Sequence, residues 1–325
     1  MKILHYGPHF DELDGGAVVN YYLWTKYNSL FPLVEQYGVP KNLEELNPTV
    51  NPHITFLRSD KFGGNIESMI AQFMSMFSIP IVEAFHIAEN ICRHIIPIHN
   101  IGGKIILHQT VHWSNDMVFK CKHLNDLDHI VAPTKYAKEI LTVEGKVNSK
   151  DITVIPHGVD TDKFYSHPTL LRKEWRIGDR PVILYCGRLD MWKGVQQLIP
   201  CIKPLVRDYN AVFVIRGNPF VGVEKSKELD YIFTTISNKN PNVIYIPEWQ
   251  PPAFIEELMA SCDIYVSPSG HEGFNVPLIE AMSCGKPVVT THLPNHSEIL
   301  MGTKNKLLEP TVKVGVVNEI QPVKI

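Results

Sequence analysis

The stretch Ser267-Pro268-Ser269-Gly270-His271-Glu272-Gly273-Phe274-Asn275-Val276-Pro277-Leu278-Ile279-Glu280-Ala281-Met282-Ser283-Cys284-Gly285-Lys286-Pro287 decides the fold. A strand candidate, Ile264 to Val266, runs into a loop of small residues, and a helix begins around Pro277, where proline suits a first helical turn. Gly285 and Pro287 stop that helix. Loop amides above a helix N-terminus favour a polar or anionic ligand. Glu272 in the loop and Glu280 in the helix suit sugar or ribose hydroxyls, because a carboxylate can accept two hydrogen bonds at once. Two solvated surface carboxylates would leave the same trace, so the pair alone decides little.

Working outward, the same strand-loop-helix grammar recurs. Lys2 to Tyr6 is a short strand, followed by the loop Gly7 to Gly16 and an apolar periodic stretch from Ala17 to Trp24. Strands follow at Lys104 to Leu107 and His129 to Ala132, with a helix over Lys135 to Leu141 after the Pro133-Thr134 start signal. Turn signals from Asp151 to Arg180 loosen the pattern, and Pro181 to Cys186 restarts it as a buried strand. Later strands fall at Ala211 to Ile215, Val243 to Ile246 and Pro287 to Thr290. The expectation is an α/β chain of two Rossmann-like domains, an N-terminal one over residues 1–170 and a C-terminal one over 171–325.

Composition fits this. The chain has 325 residues, 44% of them hydrophobic, enough for about two domains with substantial cores. With 31 Lys+Arg against 34 Asp+Glu it lacks the basic excess of a nucleic-acid binder. The six cysteines show no C-x-x-C pair, which fits a reducing compartment better than a disulfide scaffold. The N-terminus has no apolar signal-peptide core and no run approaches a spanning helix, so a cytoplasmic location is expected. The Met- and Phe-rich stretch Ala71 to Phe85, with Phe73, Met74, Met76 and Phe77, reads as core packing. Its alternative is an acceptor groove or a face for peripheral membrane contact.

Three further segments join the E-x7-E pair of Glu272 and Glu280 in a shared order: Gly187-Arg188-Leu189-Asp190-Met191-Trp192-Lys193-Gly194, Ile155-Pro156-His157-Gly158-Val159-Asp160 with Phe164, and Gly15-Gly16. Together they resemble the retaining glycosyltransferases of family 4 (glycosyl transferases group 1), which have the GT-B fold of two Rossmann-like domains facing a central cleft. The match to the family's I-P-N-G-V-D segment is imperfect, because His157 replaces the commoner Asn; we read it as a buried structural histidine.

The resemblance implies a hexosyltransferase that uses a nucleotide diphosphate sugar of the GDP-mannose or UDP-glucose type, with no metal and no cofactor beyond that donor. It implies that Arg188 and Lys193 hold the diphosphate, a role whose chemistry is sound because cations neutralise the charge growing on the leaving group. It implies that Glu280 binds the ribose, and that Glu272 and the amides of Gly273, Phe274, Asn275 and Val276 grip the sugar. Gly15 and Gly16 would lie near the donor phosphates, and Glu248 beside the base. His112, at the end of Thr110-Val111-His112, would face the transferred sugar; a structural histidine at a strand edge is the alternative. Glu272, His112, Arg188 and Lys193 are the implied catalytic set. A glycan, a lipid or a small molecule all fit as acceptor, with contacts sought in Phe31 to Gly64.

Other readings stay open at this point. His108 and His112, like His292 and His296, have H-x3-H spacing, but neither pair carries the Glu of a zinc motif. No third glycine completes a dinucleotide fingerprint after Gly15-Gly16. The rivals are another GT-B enzyme, such as a sugar-nucleotide epimerase or a phosphorylase, and a non-catalytic nucleotide-sugar-binding subunit. Only residues 281–325 follow Glu280, fewer than the family's usual strand, helix and crossover. The expectation is a minimal or shortened C-terminal domain.

Overall fold

The computed structural model describes residues 2–7, 35–40, 54–56, 66–85, 88–109, 123–219 and 223–308. They form two compact units, residues 1–157 and 158–325.

The first unit is a parallel sheet of seven strands: β1 (Lys2–Gly7), β2 (Glu35–Pro40), β3 (Ile54–Phe56), β4 (Ile81–Phe85), β5 (Lys104–His108), β6 (His129–Ala132) and β7 (Ile152–Val154), in the order β3-β2-β1-β4-β5-β6-β7. Its helices are α1 (Ile66–Phe77), α2 (Ala88–Asn100) and α3 (Lys135–Val143). Parallel strands need crossovers, and the helices that supply them cover the sheet. Leu4, Val82, Ile105, Leu107 and Ile130 of the sheet share one core with Ile70, Phe73 and Met74 of α1 and Leu141 of α3. Each such side chain contributes about 1.5–3 kcal/mol by leaving water. Phe73 and Met74 are therefore core, as the sequence suggests, while Met76 points outward. The start signal before α3 acts physically: the Thr134 hydroxyl accepts from the Ala137 amide at 3.0 Å, satisfying a donor the helix leaves orphaned.

The second unit repeats the plan with six parallel strands: β8 (Val182–Cys186), β9 (Val212–Arg216), β10 (Val243–Ile246), β11 (Ile264–Ser267), β12 (Val288–Thr291) and β13 (Lys306–Leu308), in the order β10-β9-β8-β11-β12-β13. Its helices are α4 (Leu171–Glu174), α5 (Ile199–Tyr209), α6 (Glu224–Lys239), α7 (Pro252–Ser261), α8 (Val276–Ser283) and α9 (Pro294–Ile299). Every residue of β8 is buried. Val182, Leu184 and Cys186 join one core with Leu258 and Leu278, while Ile183 and Tyr185 join another with Phe213 and Phe233, the period of two that a doubly covered strand requires.

The domain boundary differs from the expected residue 170. Residues 158–170 belong to the second unit, because Phe164 is buried in its core and its carbonyl accepts from the Ser283 hydroxyl of α8 at 2.5 Å. A segment without regular structure carried too little periodicity to show which core it packs on. Gly15, Gly16, His112 and the stretch Val312 to Ile325 lie outside the described residues, as does most of Phe31 to Gly64. Among the described residues no helix is long and apolar enough to cross a membrane.

Candidate functional site

In a doubly wound sheet, ligands bind at the carboxyl ends of the strands where the chain order reverses. In the second unit that point lies between β8 and β11, which pair through Ile183–Ile264 and Leu184–Tyr265. The loops leaving these two strands carry Arg188, Lys193 and Glu272, and α8 carries Glu280.

The loop after β8 is organised by Asp190. Its Oδ1 accepts from the Lys193 amide at 2.9 Å, capping a 3-10 turn over Met191–Lys193, and its Oδ2 lies 3.3 Å from Arg188 Nη2. One buried carboxylate thus sets the positions of both cations. Gly194 ends the turn at φ +67, and a β-carbon there would overlap the Pro268 carbonyl oxygen. Glycine is required on both counts, and its absent side chain lets the loop after β8 lie directly on the loop after β11. A hydrogen bond from the Gly270 amide to the Trp192 carbonyl, 2.8 Å, fixes that contact.

Across this seam Lys193 Nζ donates to Glu272 Oε2 at 2.7 Å, and Ser269 Oγ donates to Glu272 Oε1 at 2.8 Å. Glu272 is only 9% exposed. Burial alone would push its carboxyl up; the Lys193 ammonium, aided by the Ser269 hydroxyl, outweighs that and holds it below the ordinary value. Lys193 uses one of its three donors on Glu272, leaving two for an incoming anion.

Beneath Glu272 runs a buried polar chain. Asn295 Nδ2 donates to the Glu272 carbonyl at 2.9 Å. Asn275 Nδ2 donates to Ser267 Oγ at 2.9 Å and faces His296 Nε2 at 3.1 Å. His296 Nδ1 lies 2.9 Å from the Thr291 carbonyl and 3.0 Å from Thr290 Oγ1, whose proton goes to the Ser267 carbonyl. These partners assign a neutral imidazole with the proton on Nδ1. Burial keeps His296 below its usual value, against the pull of the Glu272 charge and the Thr291 carbonyl. Such a chain of hydrogen bonds rigidifies the loop it supports. It holds Asn275 at φ +81, a conformation that costs on the order of 1–3 kcal/mol and persists only when its surroundings impose it. Among the described residues, the Gly273 and Asn275 amides have no internal acceptor, so both can serve a ligand above α8.

Glu280 is different. It is 6% exposed on α8, and no described group hydrogen-bonds its carboxylate. Burial pushes it up to about 7, with the charge of Glu256 adding and the Arg216 guanidinium partly offsetting. A largely buried carboxyl with open lone pairs is placed to accept from the hydroxyls of a ligand.

The structure therefore brings Arg188, Lys193, Glu272, Gly273, Phe274, Asn275, Val276 and Glu280 onto two adjoining loops and the helix that follows one of them. Glu248 stands apart and exposed, after β10, next to Pro247, whose carbonyl accepts from Asn218 Nδ2 at 2.8 Å. Gly15, Gly16 and His112 fall outside the described residues. His157 is held at about 4 by burial, with His108 adding, so it is a neutral imidazole. No cluster suited to a metal occurs among the described residues. His296, considered above as half of an H-x3-H pair, instead supports the loop, together with Asn295, Asp190 and Ser269. Of these Asp190 carries the clearest sequence signal, an Asp of the type that caps a helical turn, directly ahead of Met191–Lys193.

Two Rossmann-like units, the second with these loops at its switch point, define the GT-B architecture. Residues 169–318, within the second unit, match the family model Glycosyl transferases group 1. In sequence the chain is 30% identical over 172 residues to the capsular polysaccharide biosynthesis glycosyltransferase CapM of Staphylococcus aureus, covering 50% of this chain and 43% of that protein. It is 23% identical over 308 residues to the putative glycosyltransferase YtcC of Bacillus subtilis, covering 88% and 73%. In structure it matches Anabaena Alr3699/HepE, solved in complex with UDP and glucose, with a TM-score of 0.79, 19% identity, and coverage of 95% of this chain and 86% of that one.

Proposed function

We propose that the protein is a glycosyltransferase that moves a hexose from a nucleotide diphosphate sugar to a hydroxyl acceptor with retention of anomeric configuration and without a metal. The observation that carries this is the Lys193–Glu272 pair: a cation with spare donors beside a carboxylate with spare lone pairs, both fixed from below. In this reading Arg188 and Lys193 bind the diphosphate, Glu280 accepts from the ribose hydroxyls, and Glu272 with the loop amides positions the hexose. The HepE complex with UDP and glucose supports a donor of this class.

The reaction breaks the bond from the anomeric carbon to the phosphate oxygen and forms one to the acceptor oxygen on the same face. The acceptor proton passes to the departing phosphate oxygen, whose growing charge Arg188 and Lys193 neutralise; preorganised cations of this kind lower a barrier by several kcal/mol. Glu272 positions the sugar and stabilises positive charge at its ring. Its depressed pKa keeps it ionised for that role at neutral pH.

The test is incubation of the pure protein with UDP-, GDP- and ADP-hexoses, with and without sugar, cyclitol and lipid acceptors, measuring nucleotide release and the anomer formed. Release from one donor, stimulated by an acceptor and giving the donor's own anomeric configuration, is expected. Inversion would overturn the retaining step, and no release from any donor would overturn the enzymatic reading.

A further inference from the structure

Each residue of the Lys193–Glu272 pair is preceded by an aromatic ring. Trp192 and His271 lie with ring centroids 5.9 Å apart and planes at 51°. Trp192 is 47% exposed, a large indole between Met191 and Lys193. An exposed aromatic is common on its own. Here, however, the backbone that carries the ring is anchored: the Trp192 carbonyl accepts from the Gly270 amide and the following lysine amide is pinned by the Asp190 cap. Burial lowers His271, the Glu272 charge opposing and Lys193 adding, so the second ring is a neutral imidazole at neutral pH.

An aromatic face carries negative partial charge and attracts the weakly positive C–H groups that line one face of a six-membered polyol ring, while hydroxyls at the rim seek carboxylates and amines. Trp192 and His271 offer the first, next in sequence to the two residues assigned to the donor. Depth separates this surface from the donor's: Glu280 and Glu272 are buried, whereas Trp192 is the most exposed member of the group.

We propose that Trp192 and His271 form a stacking subsite for the acceptor, and that the acceptor presents a polyhydroxylated six-membered ring, a pyranose or a cyclitol, to the indole face. This rests on the glycosyltransferase reading above and adds the chemical class of its acceptor. A simple alkyl alcohol or a lipid hydroxyl without such a ring would gain nothing from the pair.

The experiment is saturation-transfer NMR and calorimetry on the full chain with methyl hexopyranosides and myo-inositol, in the presence of the nucleotide diphosphate it binds. At least one ring compound is expected to show saturation of its ring C–H protons, about tenfold weaker binding to Trp192→Ala and near-wild-type binding to Trp192→Phe. Pyranosides and inositol are separate arms, so the result also says which ring is taken. Melting curves keep the variants interpretable, since a half-exposed side chain can be truncated without loss of the core. Absence of binding by every ring, or equal binding to Trp192→Ala, overturns the subsite. Those outcomes leave the donor reading standing provided Glu280→Gln and Lys193→Ala weaken nucleotide binding; if neither does, it is the donor reading that fails.

Discussion

Lys193→Ala lowers transfer by about two to three orders of magnitude, the usual loss when one preorganised charge is removed from a developing oxyanion. The same change destabilises the second unit, because Glu272 is left buried without its counter-ion at 2.7 Å, a loss of about 3 kcal/mol for a pair at this depth. Freed of the cation, the Glu272 carboxyl rises toward and past its ordinary value as burial takes over. The double variant Lys193→Ala with Glu272→Gln separates the effects: neutralising the orphaned carboxylate restores the melting temperature and leaves transfer low. Arg188→Ala, by contrast, loses activity with little change in melting, since Arg188 is more exposed and pairs at the edge of the loop. Turnover by nucleotide release and melting by calorimetry check both halves. Wild-type turnover in Lys193→Ala, or a double variant no more stable than the single, would contradict the account.

Glu280→Gln is expected to stabilise the empty protein while weakening its ligand. The carboxyl stands at about 7 in the folded chain against an ordinary 4.5. A raised folded value contributes stability that is complete below the unfolded pKa and is lost as pH rises through the folded one. Wild type therefore loses stability between about pH 4.5 and 7, reaching roughly 3 kcal/mol from the 1.36 kcal/mol per unit of the linkage relation. Glutamine, neutral throughout, removes that loss, so the two melting curves coincide near about pH 4 and diverge by about pH 7. Nucleotide affinity is expected to move the opposite way, falling about tenfold or more in Glu280→Gln under the proposed ribose role. Parallel melting curves would contradict the burial argument, and unchanged nucleotide affinity would contradict the ribose role.

The parts legible in the sequence are those written within one strand-loop-helix unit. Gly187 to Gly194 and Ser267 to Pro287 each place a buried strand, a turn and charged residues within some twenty positions, so local grammar suffices to locate them at strand ends. Strands at His129–Ala132 and Val243–Ile246 follow their apolar runs to the residue. What the sequence hides is contact between units of that grammar. Asn295 and His296 sit on a short helix beyond β12 and reach back more than twenty residues to Glu272 and Asn275. No spacing rule encodes that reach. Phe164 likewise belongs to a core that only the folded chain defines. The unpartnered state of Glu280 is also invisible in sequence, because it follows from what the surrounding helices and strands withhold.

Calorimetric titration of the wild type and Arg188→Ala with UDP, GDP and ADP at neutral pH asks whether the loops after β8 and β11, with α8, hold a nucleotide diphosphate. Saturable binding of at least one nucleotide by the wild type is expected, with at least a tenfold loss in Arg188→Ala and the fold retained. Binding of none of the three, or equal affinity in the two proteins, would contradict it.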